Sequence, residues 1–585
     1  MRRSLQIIIA SITTVIVVAC GSETAKRDAD VIVIGAGIAG ISAALEASAA
    51  GARVLVIESS SVAGGHAVKA GGFAMVDTPL QKKRGHQDTP DIAFNDLMTW
   101  GEDANPEWVR SFVENSRTEI YDWLTAFGVK FSILLDTPED TVPRFHFAGG
   151  PAVKVIVPML REVAGRDNIR FLHNTAAEQL IESAGPMTSV RVRDTRTGTE
   201  QVLLATTIIL ATGGFQSNLE MVSKNWPRHT DTAIAEPEHL LIGSGQYATG
   251  AGIDLGLDLG AGLYRMDHQV IFVNGLPDPH EPARGLKTEN PLAIWVNQSG
   301  QRFVNEAANS KHTAAAGLAL SPQTHWMIFD ANGLKQLRIR GAAWLTPEST
   351  VADILDNPLI GHKSATIEAL AEAAGLPVKN LVTAVTGYNL AVQSGEDSEF
   401  QRFAAGGRPA KPIGEPPFYA LQLFPMTRKS MGGLAIDPQA RVTDVNGNPI
   451  PGLYAAGELT GVAGINGSHG GSGTFLAPSV LTGRVAGRNA AAAAMSRNES
   501  PDTNFHDGST PTAATAGDPN AINAMPLEPL LALQRPGYWH FEQSHALIAS
   551  RQYTCDQCHS PDWPPGPAST TQQRLLQLDS CDTCH

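Results

Sequence analysis

The sequence predicts an α/β protein built on a Rossmann-like nucleotide-binding domain. Three observations carry this: a strand, glycine turn and helix near residue 31, an acid that closes the next strand, and later apolar runs that end on glycine pairs. Val31 to Gly40 reads VIVIGAGIAG, a β-branched run that turns through Gly35, Gly37 and Gly40 into the alanine-rich ISAALEASAAGA. Glycines there let the backbone turn sharply and approach a pyrophosphate, whose charge sits at the helix N-terminus. Arg53 to Ile57 (RVLVI) reads as a second strand ending at Glu58, placed to accept hydrogen bonds from a ribose. The unit is a dinucleotide site. A glycine turn that serves packing alone is the weaker reading, because strand, helix, second strand and acid follow in order.

With 585 residues, 43% of them hydrophobic, the chain has core material for several domains. A net charge of −14 argues against nucleic acid as a partner, since phosphate binding demands clustered Lys and Arg; solubility accounts for the acidity equally well. Residues 1–20 carry two arginines and then an apolar run before Cys20, the layout of an export signal. Val17-Val18-Ala19-Cys20 resembles a bacterial lipobox, which predicts a lipid anchor on Cys20 and a place on the periplasmic side of a bacterial membrane. An uncleaved membrane anchor is the competing reading, though the run is short for a span. Arg2-Arg3 also fits twin-arginine export.

The other four cysteines lie at the far end, so the long middle offers neither cysteine catalysis nor disulfides. Cys555-Asp-Gln-Cys558-His559 and Cys581-Asp-Thr-Cys584-His585 are two CxxCH motifs, each suited to two thioether bonds to a haem c and one axial imidazole, from His559 and His585. Zinc held by four cysteines is the rival, and it leaves the histidine after each pair unexplained. Two haems need two more axial ligands, and His540 and His545 stand just upstream in a predicted helix. Their spacing places them on different helix faces, which suits different irons. Residues 497–529, rich in Pro, Ser, Thr, Asp, Asn and Ala, read as a linker to this 530–585 dihaem segment.

Between these ends, residues 92–129 read helical, with Trp100, Trp108 and Trp123 expected in the core. RFHFAGGPA precedes a helix expected over Val153 to Val163; His146 within it is read as structural, with substrate contact as the alternative. Strands are expected at Arg170 to His173, Ser189 to Asp194 and Gln201 to Leu210, the last leading to ATGGF with Thr212 and Gly213.

Several stretches carry a resemblance. Ser59 to Met75 holds the pairs Gly64-Gly65 and Gly71-Gly72; ATGGF and YATGAGIDL follow; WVNQSGQRFVNE, read as strand, turn and strand, spans Trp295 to Glu306. Then come SMGG from Ser430, GLYAAGE from Gly452 and GGSGT from Gly470. Together they resemble the flavoprotein family of fumarate reductases and succinate dehydrogenases, which includes flavocytochromes c and 3-ketosteroid dehydrogenases. The matches spread over most of residues 30–495. The resemblance implies an FAD-binding domain in two parts, 30–265 and 430–496, with an α+β capping domain inserted at 266–429 that closes over the flavin. It implies Glu458, after Gly457, as the ribityl-side acid, and the turn with Gly471 and Gly473 as the start of a helix aimed at the flavin's pyrimidine edge. His66 invites comparison with members that attach FAD covalently, but GGHAVKAGG is spaced like the non-covalent ones.

The departures concern substrate. The family's active-site arginine beyond VNE is matched by Ser310, its substrate histidines by an apolar residue in His268-Gln269-Val270-Ile271 and by Lys429, and its later arginine by Ser468 beside His469. Glu281 and Arg284 keep the spacing of the family's Glu-x-x-Arg proton pathway, with a surface ion pair as the alternative. Glu281, Arg284, Lys429 and His469 are therefore the candidate catalytic set. The expected protein is an exported FAD and haem c oxidoreductase that reduces a conjugated C=C bond of an unsaturated acid or enone, two haems relaying electrons from a periplasmic or membrane cytochrome. The alternatives are a 3-ketosteroid-like dehydrogenase sending electrons out through the haems, and a non-enzymatic electron carrier.

Overall fold

The structure is a computed structural model that describes residues 27–181, 188–227, 235–342, 344–403 and 410–496. The export signal with Cys20, the linker and the haem motifs with His540 and His545 lie outside these residues.

A six-stranded sheet forms the nucleotide-binding half, in the order Arg441–Thr443, Pro449–Ala455, Thr207–Leu210, Val31–Ile34, Val54–Ile57, Ile169–Leu172. All but the first pair are parallel. Covered on both faces, these strands are continuous apolar runs rather than alternating ones, and Val31–Ile34 and Val54–Ile57 are buried throughout. The helices Ile38–Ala49 and Leu476–Ser496 pack against each other on one face. Their closeness depends on Gly483 and Gly487: a Cβ at either would stand 2.3 Å from the carbonyl oxygen of Ala39 or Ala43.

The run Gln201 to Leu210, expected as one strand, is two. Glu200–Ala205 joins an antiparallel sheet with Thr188–Asp194 and Thr175–Ile181, while Thr207–Leu210 enters the central sheet. The break falls at Thr206, whose N–H turns to the Asp30 carbonyl. WVNQSGQRFVNE also differs. Ile294–Val296 is a strand, but after the turn only Arg302 makes a bridge, because residues 302–306 fold back to close an Arg302–Glu306 ion pair at 2.8 Å.

The inserted half centres on Phe418–Ser430, thirteen residues long, which pairs with four other strands of an eight-stranded sheet. Its length carries it from one half to the other. The strand begins in the inserted half's core and ends with Arg428, Lys429 and Ser430 against the nucleotide-binding half, where Ser430 Oγ accepts the Phe215 N–H at 2.9 Å. Among the described residues no helix is long and apolar enough to cross a membrane.

Candidate active site

The glycines of the first turn differ in what surrounds them. Gly35 has φ +101°, and a Cβ there would meet the Ala211 carbonyl at 2.5 Å; a Cβ at Gly40 would lie 1.9 Å from the Gly35 carbonyl. These two hold strand against helix. A Cβ at Gly37, the N-cap, would meet nothing within 4 Å among the described residues, and the first helical turn has neither a capping side chain nor an acid. Its amide end is thereby left for an anion, which fits a pyrophosphate. Gly64 bridges to Gly37, and Gly65 packs on it. Glu58 is buried at the end of the second strand, its Oε2 accepting the Ala36 N–H at 2.8 Å and its Oε1 the Ser60 N–H at 2.9 Å. Burial raises its pKa while these bonds oppose the rise. A carboxylate so placed fixes the glycine loop and retains lone pairs for a ribose.

Farther along, Gly213 is again open: a Cβ there would meet nothing within 4 Å among the described residues. The Thr212 hydroxyl is buried towards Gly252. Gly71 and Gly72 lie against Phe145, Phe147 and the His146 carbonyl, Gly457 against Ala39 and Gly473 against the Ala74 amide, while the Gly471 N–H donates to Thr474 Oγ1. Glu458 lines the cleft, and its Oε1 accepts the Ser430 N–H at 2.9 Å. The string of bare backbone from Gly37 to Gly213 fits an extended dinucleotide lying across the ends of parallel strands.

A cleft of about 2280 Å³ runs between the two halves. On its inner wall stand Arg284, Arg428 and Lys429 with His66. Arg428 donates to the Gly243 carbonyl, Arg284 Nη2 to the Ser244 carbonyl at 3.3 Å, and the Lys429 ammonium lies 4.2 Å from the Phe475 ring centre. Burial, with Arg428 beside it, holds Lys429 below the usual lysine range against the pull of Glu458. Burial first, then Arg428, Lys429, Lys69 and Arg284, push His66 down to about 3, so it is neutral. A cleft with this many enclosed cations is a seat for anionic or electron-rich groups.

The predicted catalytic set is only partly brought together. Glu281 and Arg284 line the cleft and pair at 3.6 Å, and Lys429 faces the same space. His469 does not join them: it pairs at 3.3 Å with Glu102 on the rim, as does Lys311 of the inserted half at 2.6 Å. Ser310, Val270 and His312 line the cleft. His146 is buried, with Nδ1 donating to the Arg144 carbonyl at 2.5 Å and Nε2 accepting from Thr78 at 2.8 Å, a structural histidine. Trp108 is in the core as expected, whereas Trp100 lines the cleft under Lys311.

Other cleft residues gave no motif. Lys287 and Glu289 pair at 2.8 Å, Arg340 reaches Glu289 at 2.6 Å, and Lys287 and Arg428 each lie 5.3 Å from the Phe272 ring centre. The i, i+2 spacing of Lys287 and Glu289 on a strand was the available signal, since it puts both on one face. Arg402 came with none. It is buried, and binds Glu306 at 3.1 Å and the Ala293 and Pro291 carbonyls across more than ninety positions of chain.

Residues 30–476 match the family described as FAD binding domain. The chain is 32% identical over 473 residues to "Fumarate reductase (cytochrome)" of Shewanella frigidimarina, covering 79% of this chain and 77% of that protein. Among solved structures it resembles the open conformation of a flavocytochrome c3 fumarate reductase, with TM-score 0.65, 28% identity, and 80% and 78% of the two chains covered. It also resembles the 3-ketosteroid-Δ4-(5α)-dehydrogenase of Rhodococcus jostii RHA1, with TM-score 0.60, 28% identity, and 80% and 99% covered. The mixed α/β fold, the glycine cradle open to a dinucleotide and these matches lead to one conclusion: the chain belongs to the FAD-dependent oxidoreductases of the fumarate reductase family, which act on C=C bonds.

Proposed function

We propose that this protein is an exported flavocytochrome c that reduces the conjugated C=C bond of an unsaturated organic acid or enone. The observation that carries the reading is the inner wall of the cleft, where Arg284, Arg428 and Lys429 converge beside Phe272 and Phe475. Bound FAD supplies a hydride to one carbon of the double bond. Arg428 and Lys429 bind the substrate's carboxylate or carbonyl and draw electron density from the alkene, which prepares its far carbon to accept that hydride. Ser310 and Val270 offer no charge for a second carboxylate, so a substrate with one acidic end and an apolar body suits the cleft better than a small diacid. Glu281 and Arg284 form the acid and base pair from which a proton reaches the other carbon. On the rim, Glu102 links His469 to Lys311 across the halves.

Electron supply belongs to the tail. Two haems c attach at Cys555 and Cys558 and at Cys581 and Cys584, with His559 and His585 as proximal ligands and His540 and His545 as distal ones. The CxxCH pairs support this, as does the word "cytochrome" in the name of the Shewanella relative. A periplasmic or membrane cytochrome feeds the haems, and a lipid on Cys20 keeps the protein at the membrane. A pyridine haemochrome spectrum without covalent haem removes this part.

The deciding experiment is anaerobic. The purified protein is reduced stoichiometrically, enoates and enones are added singly, and haem absorbance is followed. Prompt reoxidation by an aryl or alkyl enoate supports the reading. The second reading, a dehydrogenase that passes electrons outward, is favoured by Ser310 and by the match over 99% of the 3-ketosteroid dehydrogenase. It replaces the first if a saturated ketosteroid reduces the oxidised protein and no enoate reoxidises it.

A further inference from the structure

We propose that Glu139 is the residue through which this chain holds the reduction potential of its bound FAD low. The inference rests on the proposed function, in which the cleft lined by Glu139 and by the turn Gly470–Gly473 receives the FAD. Residues 136–139 form the wall of the cleft that faces the turn Gly470–Gly473. The Ser472 N–H donates to Glu139 Oε1, and the Glu139 Cγ lies 3.5 Å from where a Gly471 side chain would begin. The acid therefore sits on the backbone just ahead of the helix Leu476–Ser496, and its partner is a neutral amide rather than a cation.

The loop that carries Glu139 is anchored. Thr137 Oγ1 donates to Asp140 at 2.8 Å, Asp140 N to the Thr137 carbonyl at 3.2 Å, and Arg144 to Asp140 at 2.8 Å. Arg144 is itself buried and binds Asp88 at 2.8 Å and Asp96 at 2.6 Å. Glu139 is thus presented from a fixed turn, not from a free surface side chain.

Electrons taken up by the cofactor add negative charge at its site. Backbone amides at the start of a helix favour that charge, and a carboxylate seated on one of them opposes it. On the other wall Arg284, Arg428 and Lys429 work in the opposite sense. A lowered potential strengthens the cofactor as a donor to C=C bonds and weakens it as an acceptor from CH–CH bonds. Glu139 therefore biases the direction of turnover, an effect distinct from substrate recognition.

The test is a spectroelectrochemical titration of the flavin in the full-length holoprotein, wild type against Glu139→Gln, after flavin content is measured. The expected result is full flavin content and a potential raised by at least tenfold in the two-electron equilibrium, about 30 mV. An unchanged or lower potential with normal flavin content overturns the inference. If E139Q binds no flavin, Glu139→Asp and Glu139→Asn form the second comparison. A higher potential in the Asn variant supports the charge effect; equal potentials, or flavin retained by Asp alone, mark the residue as a structural strap and overturn it. Wild-type protein without any flavin would instead undo the proposed function.

Discussion

The nucleotide end and the substrate end of the cleft are built by different means. At the nucleotide end, bare backbone does the work: Gly37 and Gly213 stand open, and Glu58 fixes the loop through two amides. At the proposed substrate end, side chains from distant segments do it, with Arg284, Lys287, Arg428, Lys429 and Arg402 arriving from three separate stretches. Backbone sites are written locally in glycine spacing and resist substitution. Side-chain sites can be rebuilt residue by residue on one scaffold, which is how a fold comes to host several substrates.

The largest effects should come from the nucleotide end, and two neighbouring glycines should fail differently. Gly40→Ala puts a Cβ 1.9 Å from the Gly35 carbonyl, so it should abolish soluble folded protein. The Cβ of Gly37→Ala meets nothing within 4 Å among the described residues, so the variant should fold with wild-type circular dichroism yet lose FAD on gel filtration. Flavin retained by G37A would show that the open space is not the pyrophosphate seat.

The substrate end has its own fixed point at Glu306, which is buried and shared by Arg302 and Arg402. Glu306→Gln takes the carboxylate partner from buried Arg402 and leaves Arg302 with Asp397, and should destabilise the protein by about 3–5 kcal/mol in denaturant unfolding. Next in size is Lys429→Met, which keeps the stem against Phe475 and removes the charge. It should lower kcat/KM for an acidic substrate by roughly 10–100-fold, about 1.4–3 kcal/mol, with flavin content unchanged. An equal rate in K429M would take the residue out of the site.

Legibility followed the same division. The Gly35, Gly37, Gly40 and Glu58 unit and the parallel strands around it could be read directly, because strand, turn and helix are contiguous and each glycine answers a local steric demand. The inserted half could not be read so well. The run 201–210 is continuous in hydropathy yet serves two sheets, and the second half of WVNQSGQRFVNE folds back for an ion pair whose third member, Arg402, no spacing foretells. His469 illustrates the limit on site prediction: it neighbours the flavin turn in sequence, but Glu102 turns it to the rim. Helical periodicity predicts Trp100 in the core, but it does not distinguish a core from the wall of a cleft, where Trp100 lies.

The smallest effect concerns the anchor behind Glu139, where Arg144 faces Asp88, Asp96 and Asp140. One cation does not balance three enclosed carboxylates. Burial, offset by Arg144, Thr137 and hydrogen bonding, pushes Asp140 up to about 6 from 3.8. Because the folded-state value is the higher one, the protonated form favours folding. That contribution is complete below pH 4 and lost as pH rises through 6. Asp140→Asn keeps a carbonyl oxygen for Arg144 and removes the titration. It should stabilise the protein by roughly 1–3 kcal/mol at pH 7.5, and the gain should vanish by pH 4. Thermal unfolding of both proteins across that range measures it. A gain that did not depend on pH would mean that Asn improves packing, and that the charge imbalance at Arg144 costs nothing.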